Sequence, residues 1–206
     1  MKYLKLAILC IFHPTDFYEE LKTRSDTISV FSGAIIMLLV ILMRYLYVIT
    51  VHIPLADIRV EDTNVILEIG RILLPMITIS VSVYAVTSIL YGETTLKMVF
   101  LSISYAFVPF ILLTPVSIIL SRFLGLNEAV YFNALSSAMW LWIVLLAFFA
   151  IMIMNNFGFF KTIGICILSI ILTVLIWAIA VIIIALSFQI IGFVREIVKE
   201  YILQNL

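Results

Sequence analysis

The sequence predicts an all-α, polytopic integral membrane bundle of about five transmembrane helices, with an amphipathic helix at each end. Three observations carry this reading. Hydrophobic residues make up 65% of the chain and charged residues 12%, where soluble domains hold roughly 45–50% and about 25%. Mean hydropathy is +1.29, so a water-soluble fold of 206 residues would lack the polar surface to cover its core. Five segments each supply the ~20 mostly apolar residues that cross ~30 Å of hydrocarbon as a helix. Lipid is the solvent that fits.

Residues 1–24 are too short on apolar length to span, yet they carry a membrane-seeking face. Tyr3, Leu4, Ala7, Ile8, Ile11 and Phe12 share one side of a helix flanked by Lys2 and Lys5, the pattern of an interfacial anchor. The apolar run Leu6–Phe12 lacks the small-residue cleavage site of a signal peptide, so the segment is expected to stay. Pro14 suits a helix start, where its missing N–H costs nothing. Asp16 with Glu19 fits a capping box, and Phe17 and Leu21 stack at i, i+4. The expectation is a helix lying in the headgroups; docking on a partner is the alternative.

Span 1 is expected over 28–51, with Ser25-Asp26-Thr27 as N-cap oxygens. It contains one charge, Arg44. A basic residue at the bilayer centre costs ~2.5–3.5 kcal/mol on insertion scales. Arg44 sits roughly 10 Å from the Val51 end, close enough to snorkel. An ion pair with Asp57 or Glu61 of the acidic link His52–Gly70 would lower the cost further.

Span 2 is expected over 71–92 and closes on Gly92. Thr78 and Ser82 form one polar or small ridge; Ser80, Tyr84 and Ser88 form another. Span 3, over 97–121, answers with Ser102, Ser104, Tyr105 and Ala106, so spans 2 and 3 are expected to pack closely. Pro109 and Pro115 are expected to kink span 3 and free two carbonyls inside the membrane. Span 4 covers 134–154, with helix able to begin near Ala129 after the Gly125–Glu128 turn; Gly158 breaks the stretch that follows. Span 5, over 162–193, exceeds one crossing and implies tilt, a bend near Gly192, or an emerging end. The tail 194–206 alternates apolar and charged pairs, an amphipathic helix expected to continue span 5 and then lie on the outer surface, with pairing to a partner as the alternative.

Basic residues near span ends set orientation. Lys2, Lys5, Lys22 and Arg24 precede span 1, against Arg59 and Arg71 after it, which places the N-terminus in the cytoplasm and the C-terminus outside.

Composition and motifs also exclude. Lys+Arg and Asp+Glu balance at 12 each, so nothing points to nucleic acid. Cys10 and Cys166 lie in apolar stretches without metal-ligand or disulfide spacing. Glu19-Glu20-Leu21-Lys22-Thr23-Arg24 spells the EExxxR of intramembrane proteases, but His13 and His52 lie at membrane edges and Phe17 and Ala56 follow them at i+4. HExxH, GxSxG and the P-loop are absent from the sequence. No catalytic set, metal or cofactor is expected.

Three stretches in order carry a resemblance: His13-Pro14-Thr15-Asp16-Phe17, then Ser104-Tyr105-Ala106-Phe107-Val108-Pro109, then Asn155-Asn156-Phe157-Gly158-Phe159-Phe160-Lys161. With five spans, the chain resembles short prokaryotic members of the Yip1 domain family. The long cytosolic N-terminal region and the Asp-Leu-x-Gly-Pro signature of the eukaryotic branch are missing, and Ser104 stands where a glycine is common. The resemblance implies a non-enzymatic protein of the cytoplasmic membrane, a scaffold or accessory subunit working through membrane lipids, other membrane proteins or further copies of itself. The alternative is a small transporter or channel component, with a polar pathway near Arg44, Tyr84, Tyr105 and the prolines of span 3.

Overall fold

A computed structural model describes residues 9–24, 30–51 and 64–204. After a turn of helix at 9–12, seven helices follow: α1 (Pro14–Thr23), α2 (Val30–Thr50), α3 (Val65–Ile89), α4 (Leu96–Ala106), α5 (Val108–Phe123), α6 (Ala129–Met154) and α7 (Phe159–Gln204). A 3-10 turn, Leu126–Glu128, precedes α6. Among the described residues there is no strand. Five stretches are long and apolar enough to cross a membrane: Phe31–Thr50, Val65–Ile89, Leu96–Phe123, Ala129–Met154 and Phe159–Ile197. The protein is a multi-pass helical membrane protein.

The α4–α5 span is the centre of the bundle, touching α2, α3 and α6; α3 in turn carries α7. Gly33 lets α2 approach α4, since a Cβ there would sit 3.2 Å from Leu101 and 3.3 Å from Ser104. Most interior hydroxyls are satisfied within their own helix. Ser80, Thr87, Ser104 and Thr114 each donate to the carbonyl four residues earlier, which lets polar side chains sit in an apolar interior.

Several boundaries differ from expectation, each for a local reason. The second span begins at Val65, not Arg71, because the Asn64 side chain accepts the Ile66 N–H as an N-cap. Glu68 therefore lies in the first turn of α3 and not in a loop. That helix ends at Ile89 rather than Gly92, and Tyr91, with φ 59°, takes the left-handed position. The Gly92 N–H then returns to the Thr87 carbonyl at 2.7 Å. The same closure ends α6: Asn156 has φ 54° and Phe157 N–H donates to the Met152 carbonyl. Gly158 instead starts α7, accepting the Thr162 N–H.

In the third span only Pro109 breaks the helix; Pro115 sits inside α5 without ending it. The fourth span starts at Ala129, the earlier of its expected starts. The fifth span and the tail form one 46-residue helix that runs unbroken through Gly192. A lone glycine weakens a helix by only about 1 kcal/mol, too little to stop one this long. The Ser25–Thr27 cap and the residues 1–8 expected on the interfacial face lie outside the described residues.

Candidate functional site

Two clusters of polar side chains form, at opposite ends of the bundle. The first gathers the end of α1, the α3–α4 turn, and the α6–α7 turn. Lys22 reaches Glu93 at 2.7 Å, and Asn156 donates to the same carboxylate at 2.9 Å. Those two hydrogen bonds, then the Lys22 charge, hold the Glu93 carboxyl below its ordinary value. Beneath them Asn155 accepts from the Thr94 hydroxyl at 2.7 Å and from the Thr94 amide, and donates to the Ile151 carbonyl. Lys161 caps the Leu90 carbonyl and lies 3.9 Å from the Phe157 ring centre. Gly92 is required here: a Cβ would meet the Asn155 side-chain oxygen at 2.5 Å.

This cluster holds α1 in place. The helix packs its apolar face on the bundle. Phe17, Tyr18 and Leu21 are buried against Leu101, Tyr105, Ala106, Leu146, Ala150 and Met154. Nor does the expected capping box form, because His13 is the N-cap position and Asp16 accepts from Thr15 instead. The apolar face expected to meet lipid has found a groove between α4 and α6, where shape complementarity adds dispersion contacts that fluid lipid does not match.

Tyr105 and Pro109 share one device. Pro109 has no N–H to give the Tyr105 carbonyl four residues earlier, and the Cys10 thiol, at 3.6 Å, donates to that carbonyl. The Phe17 and Tyr105 rings pack with centroids 5.0 Å apart, and the Tyr18 hydroxyl donates to the Ser102 carbonyl. Burial pushes the Cys10 thiol up to about 12, and burial likewise raises the Tyr18 phenol. Pro14 occupies the first turn of α1, as its missing N–H favours.

The second cluster surrounds Arg44. Its Nε donates to Glu68 at 3.0 Å, and Arg71 pairs with the other oxygen of the same carboxylate. The Arg44 guanidinium also lies 5.5 Å from the Tyr47 ring centre. Glu68, in the first turn of α3, is 5% exposed, so the helix carries a buried carboxylate at its start. The expected partners Asp57 and Glu61 lie outside the described residues. A sequence reading that started α3 at Asn64 would have found this pair, since Glu68 then falls one turn into the helix.

Arg44, Tyr84 and Tyr105 do not converge. Tyr84 packs against a separate apolar cluster that includes Met37, Val86 and Ile165, and Tyr105 belongs to the α1 contact. The polar ridges of α3 are also divided. Thr78 accepts from the Trp177 indole of α7 at 3.2 Å, Ser82 is buried facing the core, and Ser88 is exposed. The α3 helix thus packs on α7 as well as on α4. Among the described residues no group of three or more His, Cys, Asp or Glu side chains is placed to hold a metal ion. No protein-family model, curated protein or solved structure significantly matches the chain.

Proposed function

We propose that this protein is a Yip1-like, non-enzymatic scaffold or accessory subunit of the cytoplasmic membrane, holding another membrane protein through the far half of α7. One observation carries the reading. Residues 162–194 hold no charged side chain, a helical length of roughly 50 Å. Hydrocarbon of ~30 Å, even at the ~40° limit of usual tilt, covers only about 40 Å of helix. Val181–Ile197 is exposed on every side, so the bundle itself does not cover the excess. A partner helix does.

The three resembling stretches support the family reading by meeting at one end of the bundle. Phe17 touches Tyr105, and Lys22 and Asn156 share Glu93. In sequence they are separated by whole spans. The test is a photo-crosslinking amino acid at Leu186, Phe188 or Ile190, with Leu112 as control. Discrete protein adducts from α7 in native membranes, weak at Leu112, are the expected result. Lipid adducts alone at all four positions would refute the scaffold.

A transporter is the second reading, favoured by the buried Arg44–Glu68 pair. It requires water to reach Tyr84 and Tyr105, so cysteines placed there should react with a membrane-impermeant thiol reagent. It also requires that Arg44→Leu change function in a protein that still folds.

A further inference from the structure

Helix α7 carries one stripe along most of its length. Positions 162, 166, 169, 173, 176, 180, 183, 187, 190, 194 and 197 alternate steps of four and three, the seven-residue repeat of helices that pair along a seam. All four hydroxyl side chains of residues 162–194, those of Thr162, Ser169, Thr173 and Ser187, fall on it. Hydroxyls on a membrane helix turn toward protein, where small polar side chains admit close packing. Up to Ala180 the bundle covers the stripe. Thr162 and Ser169 are buried, and Thr173, Ile176 and Ala180 are half-buried. Ile165 and Leu172 beside it join Val83 and Val86 of α3 in one apolar cluster. From there the stripe runs on uncovered: Ile183, Ser187, Ile190, Val194 and Ile197 are all exposed.

Hydrocarbon does not account for this second half. Counted from Lys161, the last charge before the apolar run, about 30 Å of helix ends near Val181, and about 40 Å, at the steepest usual tilt, near Phe188. Polar side chains begin there and lie off the stripe: Gln189, Arg195 and Glu196 sit toward the opposite side of the helix. The helix continues unbroken to Gln204, so its far end has an apolar front and a polar back. Such a front, beyond the hydrocarbon, is covered by another helix.

We infer that this front is covered by the same stretch of a second copy, two α7 helices pairing in parallel from Ile183 to Ile197. The inference names the partner in the scaffold reading above and rests on that reading. The contact continues the α3–α7 interface along one face with one repeat. Copies of one chain enter the membrane in one orientation, so their α7 helices meet parallel and in register, and a two-fold contact sets like against like. Ile183, Ile190, Val194 and Ile197 fill it. Ser187, whose hydroxyl donates to the Ile183 carbonyl at 2.8 Å, is small enough to let the two backbones approach. Arg195 and Glu196 stay off the contact and cancel in charge, so pairing meets no net repulsion from them. A foreign helix has to match this register; a second copy matches it by identity.

Cysteine crosslinking of the full-length protein in native membranes tests this. In a Cys166→Ala background, Ser187→Cys, Ile190→Cys and Val194→Cys lie on the contact, and Ala185→Cys, Gln189→Cys and Gly192→Cys lie off it. All six positions are exposed, so the substitutions leave the bundle intact. With two differently tagged copies present, mild oxidation should give a mixed-tag disulfide dimer on the order of tenfold more from the first three, since only there do Cα atoms come within the ~7 Å a disulfide spans. The Cys166→Ala parent, whose remaining Cys10 is buried, should give none. Equal yields at all six positions, as random collision produces, or no dimer at any, would overturn the pairing. No dimer together with discrete adducts to another protein from a photo-crosslinker at Leu186 would overturn the second copy and leave the scaffold standing. Lipid adducts alone would end both.

Discussion

Gly92 and Asn155 illustrate how single residues join distant turns. Asn155 is pinned on three sides by Thr94 and Ile151, so its oxygen cannot yield to a methyl group at position 92. Gly92→Ala should therefore destabilise the protein by about 1–3 kcal/mol, the cost of overpacking a filled site, read as earlier unfolding in a denaturing-detergent titration. Asn155→Ala alone should cost about as much, by stranding the buried Thr94 hydroxyl. In the Asn155→Ala background the alanine at 92 should cost measurably less, since the 2.5 Å clash is gone and only the approach to Thr87, 2.9 Å from its carbonyl oxygen, remains. Strict additivity would mean the two residues do not touch. Glycine at 92 was visible in the sequence as a helix stop, but its reason was not. Tyr91 makes the left-handed turn, and Gly92 makes room for a side chain from another helix.

Helix α1 shows an element whose pattern was legible in the sequence and whose packing partners were not. Its apolar face packs in a protein groove, tied at its end by Lys22 and Glu93. The apolar contact dominates, because the ion pair is exposed and such pairs contribute little. Phe17→Ala, removing a buried ring worth about 3–5 kcal/mol, should undock α1. The consequence is legible at Cys10, whose thiol is buried and held protonated at pH 8. In a Cys166→Ala background Cys10 should resist maleimide, and Phe17→Ala should raise its labelling rate on the order of a hundredfold or more. Acid should act weakly and with a definite sign. The Glu93 carboxyl is depressed below 4.5 in the folded protein, so its contribution is complete above that pH and is lost as pH falls through the depressed value. Hydrogen exchange of α1 amides, corrected for intrinsic rate, should rise only modestly on acidification, and Glu93→Gln should abolish the step.

At the scale of the whole molecule, an odd number of crossings places the two ends on opposite sides. Five apolar helices, with the basic N-terminal flank expected inside by the positive-inside rule, make a prediction for reporter tags. A tag at the N-terminus should be protected in intact cells and one at the C-terminus accessible to external protease. Both tags on one side would eliminate the five-span topology. The same view explains where charge can be tolerated. The Lys22–Glu93–Asn156 group lies at one end and Arg44–Glu68–Arg71 toward the other, leaving the central α4–α5 span with hydroxyls that bond their own helices. Breaking a buried ion pair typically costs about 3–5 kcal/mol, which is why Arg44 without Glu68 would be an unstable arrangement rather than a neutral one.

The sequence by itself determined the solvent and the number of crossings, because apolar content and run length are local sums that no packing can alter. It also marked Pro109 and Pro115 alike as breaks in the third span, of which only Pro109 stands where one helix ends and the next begins. Tertiary structure alone decided what covers each apolar face. Lipid tails and protein side chains are equally apolar, so the periodicity of residues 14–23 reads the same for a headgroup anchor and for a docked helix. Nor does spacing along the chain say which acid Arg44 finds. Glu68, 24 residues away, became its partner because Asn64 started α3 a turn and a half early and packing set the two helices side by side.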